Sequence, residues 1–277
     1  MDGVDKNKTI TFEELDEVVY LLQMASDFDI SGYSKSSLKR RLERLMAMET
    51  MDIVDLKNAI LNIDGFTTYL MQEVSVNVTE MFRDPPFFQA LRENVIPYLK
   101  TFPQIRLWSA GCATGEEVYS LAILLQKENI LDRSFIYGTD INQKTLTIAK
   151  NGVYSIEKIK QYTENFNKVY GLSSLSNHYT AMYNAAIINH EYRSKALFSS
   201  HNLVSDGVFN EFQLISCRNV MIYFDKKLQE RVLNLFYESL NLFGFLCLGA
   251  KESLYGHSIK ENFKIIDKNY NIFQKIK

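Results

Sequence analysis

Three acidic residues occupy positions where a carboxylate can do chemistry. Glu116 and Glu117 follow directly on a run of small residues at 109–115, SAGCATG, and Asp140 stands at the end of the apolar run FIYGTDI. Small residues let a backbone bend tightly and let a ligand approach it. An acidic residue at the tip of a second strand, roughly 25 to 30 residues past such a turn, is placed to accept hydrogen bonds from both hydroxyls of a ribose. The glycines Gly111 and Gly115 are spaced G-x-x-x-G rather than the G-x-G-x-x-G that brings a pyrophosphate onto a helix N-terminus. Two carboxylates in the first helical turn would also repel a phosphate there. The spacing therefore points to a cationic or zwitterionic nucleoside rather than a dinucleotide. The alternative without a ligand is a helix whose acidic first turn only complements its own dipole.

The elements that must position these residues read as a doubly wound domain. Residues 105–108 form a buried strand, 109–115 the loop, and 116–126 a helix with Val118, Leu121, Ala122 and Leu125 at helical spacing. A strand over 135–141 and a helix over 142–151 follow. The connection 152–194 is too long for a simple crossover, and its strand-like part at 179–188 predicts an inserted small sheet within about 165–194. The pattern resumes with a strand at 196–200 leading to His201, Asn202 and Leu203. A further strand at 212–217 runs into RNVMIYF at 218–224. Asp225 caps a helix through 240, a strand covers 243–250, and 263–267 with 272–276 form an antiparallel hairpin. An antiparallel edge added to a parallel sheet is what many methyltransferases show.

Ahead of this lies a small helical domain. Thr11 and Glu14 make a capping box for a helix over 11–26 with Leu15, Val18, Val19 and Leu22 as its stripe. A second helix over 34–48 buries Leu38, Leu42, Leu45 and Met46, while Lys35, Lys39, Arg40, Arg41 and Arg44 crowd the remainder. That face is either solvated or a docking surface for an acidic helical partner, with Lys39, Arg40 and Arg44 as its contacts. Helices over 52–63 and 66–76 complete the domain, which ends near 75. The junction at 75–86, SVNVTEMFRDPP, sets the polar Asn77, Thr79 and Arg83 among apolar residues, and its proline pair stops one element and starts the next.

With 277 residues, 46% hydrophobic, the chain can bury a full core and divides into a helical domain at 1–75 and a catalytic domain at 76–277. A net charge of -2 and a pI near 6.1 give no reason to expect nucleic-acid binding. The apolar run at 242–250 is too short to span a bilayer and the first nine residues are polar, so a cytoplasmic location without membrane insertion is expected, as is a monomer. Cys112, Cys217 and Cys247 share no metal-ligand spacing with the four histidines, and no metal is expected.

NVTEMFRD, SAGCATGEEVYSLAI, GTDIN, FSSHNL and SCRNVMIYFD, in this order, closely resemble the CheR family of chemoreceptor glutamate methyltransferases. The resemblance covers nearly the whole chain. It implies a Rossmann-like α/β methyltransferase domain with an inserted antiparallel β-subdomain, preceded by an all-α domain. It implies S-adenosylmethionine as cofactor and S-adenosylhomocysteine as product. The family's cofactor contacts fall on Asn77, Thr79, Arg83, Glu117, Asp140, Asn202, Leu203, Arg218 and Asn219. The implied partner is the cytoplasmic helical domain of methyl-accepting chemoreceptors, methylated on glutamate.

Two departures stand out: Val118 where the family commonly has proline, and Ala250, Lys251, Glu252 and Ser253 where it has a His-Ser-Glu-Ser-like run. Neither is expected to touch the matched contacts. The inserted sheet, which in some members docks a receptor's C-terminal peptide, carries MYNAAIIN at 182–189 without the glycines of that docking loop.

A glutamate side chain ordinarily titrates near a pKa of about 4.3, so as an acceptor it is an anionic nucleophile at neutral pH without a general base. The enzyme must supply proximity, in-line geometry and exclusion of water. Arg83 is expected to hold one carboxylate oxygen, and Tyr223 to donate a hydrogen bond or fix the approach; the plain alternative for Tyr223 is a core aromatic. Two other functions compete. An N-methyltransferase would use Asn219, although such enzymes usually show Asn-Pro-Pro-Tyr where this chain has Asn-Val-Met-Ile-Tyr. A catalytically silent module sensing S-adenosylmethionine is the other, and intact Arg83 and Tyr223 argue against it.

Overall fold

The protein is described by a computed structural model over residues 9–26, 30–74, 78–171 and 173–277. It divides into two units: Met1–Val76 with Tyr223–Arg231, and Asn77–Ile222 with Val232–Lys277.

The first unit is helical: α1 Phe12–Ala25, α2 Lys35–Glu49, α3 Ile53–Asn62 and α4 Phe66–Val74. Thr11 and Glu14 form the expected capping box on α1, and Asp52 with Asp55 form a second one on α3. Leu15, Val18 and Leu22 of α1, Leu38, Leu42 and Leu45 of α2, and Leu56 and Ile60 of α3 are buried, and α1 packs against both α2 and α3. Each such side chain contributes about 2 kcal/mol by leaving water. Residues 223–231 join this unit from far along the chain. Gly32 lies so close to Leu228 that a Cβ there would sit 2.9 Å from its side chain. The rings of Tyr33 and Phe224 meet edge to face, centroids 5.2 Å apart, and the Ser34 N–H donates to the Tyr223 carbonyl at 2.7 Å.

The second unit opens with α5 Pro85–Asn94 and α6 Ile96–Leu99, α5 carrying the proline pair in its first turn. It continues with β1 Ile105–Ala110, α7 Glu116–Lys127, β2 Ser134–Asp140, α8 Gln143–Asn151, β3 Val153–Ser155 and α9 Ile156–Tyr170. Then come β4 Tyr179–Met182, β5 Ala185–Ile188, α10 His190–Arg193, β6 Ala196–Ser200, β7 Phe212–Cys217, α11 Lys226–Ser239, β8 Leu240–Leu248, β9 Phe263–Asp267 and β10 Ile272–Lys275. The main sheet runs β6-β2-β1-β7-β8-β10-β9, parallel from β6 to β8, with β10 and β9 added antiparallel. This is the Rossmann-like methyltransferase architecture that the strand pattern predicts. Every residue of β7 is buried, as befits a central strand covered on both faces.

The inserted sheet is antiparallel, in the order β3-β5-β4. It differs from expectation at its start. Its first strand, β3, precedes 165, and much of the long connection is α9, whose Ile159, Tyr162, Phe166 and Val169 are buried at helical spacing. No described helix is long and apolar enough to cross a membrane.

Candidate functional site

In a doubly wound sheet, ligands settle at the carboxyl ends of the strands where strand order reverses. Here β1 lies between β2 and β7, with β6 beyond β2; of the sequence-predicted residues, Asp140 ends β2, and Glu117, Asn202, Leu203, Arg218 and Asn219 follow the carboxyl ends of β1, β6 and β7.

The loop after β1 turns through Gly111 at φ +73° and Gly115 at φ +89°, the left-handed region that favours glycine. A Cβ on Gly111 would lie 2.5 Å from Val220 Cγ2, and one on Gly115 2.8 Å from Ala149 Cβ, so both are also close approaches. The loop is tied to the end of β2: the Gly111 and Cys112 N–H groups donate to the Thr139 carbonyl at 2.8 and 2.9 Å. Asp140 Oδ2 accepts the Ala113 N–H at 2.8 Å, and Oδ1 accepts the Asn142 N–H at 2.9 Å. The Ile141 N–H is a third backbone donor, and the carboxylate still has acceptor capacity beyond these three. Burial raises the Asp140 carboxyl above its ordinary pKa against the pull of those donors. The inserted sheet braces the same loop through the Tyr154 hydroxyl, which donates to the Thr114 carbonyl at 2.7 Å.

The two glutamates opening α7 part company. Glu117 Oε1 accepts the Ser109 hydroxyl at 2.8 Å and its Oε2 lies 3.3 Å from Arg218 Nη1. Glu116 turns the other way, into the interior, fully buried between the hydroxyls of Thr114 at 2.6 Å and Tyr162 at 2.9 Å with Lys158 Nζ 3.7 Å away. Burial raises its pKa, opposed by those two hydroxyl donors and Lys158. The expected acidic pair at the loop is therefore one carboxylate, because successive helical residues point about 100° apart.

Arg218, only 4% exposed, bridges Glu117 and Asp84: its Nη2 lies 2.6 Å from Asp84 Oδ2, and its guanidinium carbon is 3.9 Å from the centre of the Phe87 ring. Its Nε is buried without a partner. Arg83 is half-buried and donates through Nη1 to the Val78 carbonyl at 3.2 Å, leaving its other N–H groups for an anion. Asn202 is half-buried, its Oδ1 accepting the Val204 N–H at 3.0 Å, beside the buried Leu203.

Asn219 takes the left-handed conformation at φ +64°, and its Oδ1 is buried without a partner. Its backbone reveals a residue that sequence reasoning passes over. Glu252, 5% exposed, accepts the N–H groups of Asn219, Val220, Met221 and Gly249 at 2.9, 2.8, 2.7 and 2.6 Å. The sequence gives no reason to expect residues 250–253 to touch the matched contacts; Ala250 and Lys251 depart from the family run, but Glu252, which keeps its glutamate, reaches Asn219 through the backbone N–H.

Thr79 is half-buried in the junction. Asn77 lies outside the described residues. Tyr223 belongs to the helical unit, where the Arg41 guanidinium carbon lies 4.6 Å from its ring centre. Arg41 also donates to the Val74 carbonyl, so it is turned inward and is not part of the basic outer face of α2. Arg40 and Arg44 are exposed there; Lys39 is half-buried, 3.7 Å from Glu43 and over the Phe12 ring.

The donor set suits S-adenosylmethionine. A carboxylate with open acceptor sites matches a ribose diol, a second matches an ammonium, and a guanidinium matches a carboxylate, while the tight glycine loop leaves no room for bulk. Residues 77–272 match the family model described as the CheR methyltransferase, SAM binding domain. The chain is 43% identical over 272 residues to a Pseudomonas putida protein named Cher3 with a provisional methyltransferase description, covering 98% of each. It is 30% identical over 272 residues to a chemotaxis protein methyltransferase of Vibrio anguillarum, covering 90% of this chain and 91% of that one. With the corresponding protein of Borreliella burgdorferi the identity is 27% over 268 residues, covering 91% and 92%. The glycine loop after β1 and the carboxylate that ends β2, together with a family match that spans both, lead to one assignment: the chain belongs to the CheR family of S-adenosylmethionine-dependent methyltransferases.

Proposed function

We propose that the chain methylates glutamate side chains in the cytoplasmic helical domain of methyl-accepting chemoreceptors, giving glutamate methyl esters and S-adenosylhomocysteine. The observation that carries this reading is Arg83, a half-buried guanidinium with one hydrogen bond to Val78 and its other donors open, whereas the second guanidinium of the site, Arg218, is engaged by Glu117 and Asp84. A cation there attracts an anionic acceptor. The names of the Vibrio and Borreliella relatives support the chemotaxis setting.

S-adenosylmethionine supplies an electrophilic methyl on a sulfonium. Asp140 would accept the ribose hydroxyls and Glu117 the ammonium, with Arg218 holding Glu117 in place. Asn77, Thr79, Arg83, Asn202, Leu203, Arg218 and Asn219 are the remaining proposed cofactor contacts. Arg83 would hold one oxygen of the acceptor carboxylate so that the other lies in line with the methyl, and Tyr223 would fix the approach. No proton has to be removed, since the acceptor is already ionised. Exposed Arg40 and Arg44, with Lys39, form the proposed docking face for an acidic helical bundle.

A second reading draws on the unpartnered Asn219 Oδ1, a free acceptor that would suit an amine substrate. The two are separated by incubating the protein with radiolabelled cofactor and receptor-bearing membranes, then treating the labelled band with alkali. An ester releases volatile methanol; label that resists base promotes N-methylation; firm cofactor binding without transfer leaves a sensor. Charge reversal at Arg40 and Arg44 should lower receptor labelling about tenfold with cofactor affinity unchanged, and added salt should weaken the wild type likewise.

A further inference from the structure

Three successive backbone N–H groups, from Asn219, Val220 and Met221, converge on one buried carboxylate. Successive N–H groups around a left-handed residue form a concavity that binds anions. In this protein the anion is built in. Glu252 Oε1 takes Val220 and Met221, and Oε2 takes Asn219 and Gly249. A carboxylate has about four lone-pair sites and all are used. Only the ionised form can accept four donors, because a proton on either oxygen would face an N–H.

The clamp is itself anchored. Asn271 Nδ2 donates to the carbonyls of Gly249 and Glu252, at 2.9 Å each, and the Asn271 carbonyl accepts the Leu248 N–H at 3.1 Å. Downstream of the clamp lies the site. The peptide planes that Glu252 fixes are those that aim the Arg218 guanidinium at Glu117 and Asp84 and hold Asn219 left-handed. They also set Val220 against Gly111, in the loop after β1, with no room for a Cβ between them.

We propose that Glu252 is a positioning residue for methyl transfer: it touches no reacting atom, but fixes the loop after β7 against the loop after β1. The inference rests on the assignment of this cleft to methyl transfer. Misplacement of a reacting group by about 1 Å can cost roughly 100-fold in rate, which sets the scale of the expected effect.

The test is Glu252→Gln in the full chain, whose amide NH2 would confront two of the four N–H groups. Expected are an S-adenosylhomocysteine affinity within about threefold of wild type by calorimetry, and single-turnover transfer to receptor membranes slower by about 100-fold. Faster amide exchange over 218–221 should accompany the slow transfer. Glu252→Asp, which keeps the anion on a shorter arm, should fall between. Should the glutamine variant fail to fold, Gly249→Ala keeps the charge but places a methyl 2.6 Å from Glu252 Oε2 and 2.8 Å from the Asn219 nitrogen, and should slow transfer in the same way. Normal transfer in a folded variant would overturn the proposal, as would a parallel collapse of melting temperature, affinity and rate, which marks a merely structural role. If the wild type labels no membrane protein, the glutamate reading fails separately; amide exchange over 218–221 that is unchanged in the variant then overturns the clamp.

Discussion

Asp140 and Glu252 do the same thing at two places in the sheet. Asp140 is the last residue of β2 and Glu252 lies just past the end of β8, and each reaches to the loop of a neighbouring strand, Asp140 to the loop after β1 and Glu252 to the loop after β7. They differ in valence. Asp140 takes backbone N–H groups from Ala113, Ile141 and Asn142 and is half-buried; Glu252 takes four, two on each oxygen, and is almost fully buried. A carboxylate that still has lone pairs facing the cleft can hold a ligand, and one that is saturated can only hold the protein. Glu117 and Glu116, one residue apart, differ in burial instead: Glu116 is fully buried between two hydroxyls, while Glu117 remains partly exposed beside Arg218.

If spare valence is what separates the two kinds, Asp140→Ala should lose the most: about 100-fold in S-adenosylhomocysteine affinity by calorimetry, since charge-assisted hydrogen bonds are worth about 1.5–3 kcal/mol each. An equal loss in Glu252→Gln would erase the distinction. The same logic gives a sign to pH. Because burial raises the Asp140 pKa and the ionised form is the acceptor, cofactor affinity should fall as pH is lowered through that raised pKa, and Asp140→Asn should abolish this dependence.

Arg83→Ala sharpens the comparison from the cationic side. It should slow single-turnover transfer by about 10- to 100-fold with only about a threefold loss in cofactor affinity, the pattern of a group felt in positioning. Glu117→Gln should weaken cofactor binding by about tenfold, keeping the Ser109 hydrogen bond but losing its charge. Glu116→Gln should be the mildest, with rate and affinity within about twofold of wild type. Its effect lies in stability. A carboxyl whose folded pKa is raised contributes most below its unfolded pKa and loses that contribution as pH rises through the folded value. Scanning calorimetry should therefore show the glutamine variant gaining on wild type, by about 2 °C, as pH rises from the ordinary carboxylate range through that raised value.

The legible parts of this molecule are those whose cause is local. The small residues at 109–115, the apolar run before them and the stripe of α7 lie within one short stretch, and Asp140 announces itself by ending a strand. The side on which Glu116 falls is not legible, because α7 is buried on most of its surface and its stripe marks no single outer face. The inward turn of Arg41 is legible in principle and easily missed among its basic neighbours: it lies three residues after Leu38 and four before Leu45, on the edge of the buried stripe. The spacing within α9 is likewise available. Glu252 gives a weaker signal, an acid shortly after the apolar β8, and its donors are backbone groups, three of them following another strand, that no side-chain pattern reveals.

The assignment of Tyr223–Arg231 to the helical unit bears on modularity. A fragment beginning at residue 77 would retain the described cofactor-loop residues, yet its Leu228 would have lost Gly32, its Phe224 the ring of Tyr33, and its Tyr223 the guanidinium of Arg41. The helical unit expressed alone would miss the same segment from the other side. A crossover placed at the junction, whether by recombination or in the laboratory, thus divides a folding unit as well as a sequence. Functional chimeras between relatives should then need residues 223–231 to travel with the N-terminal helices.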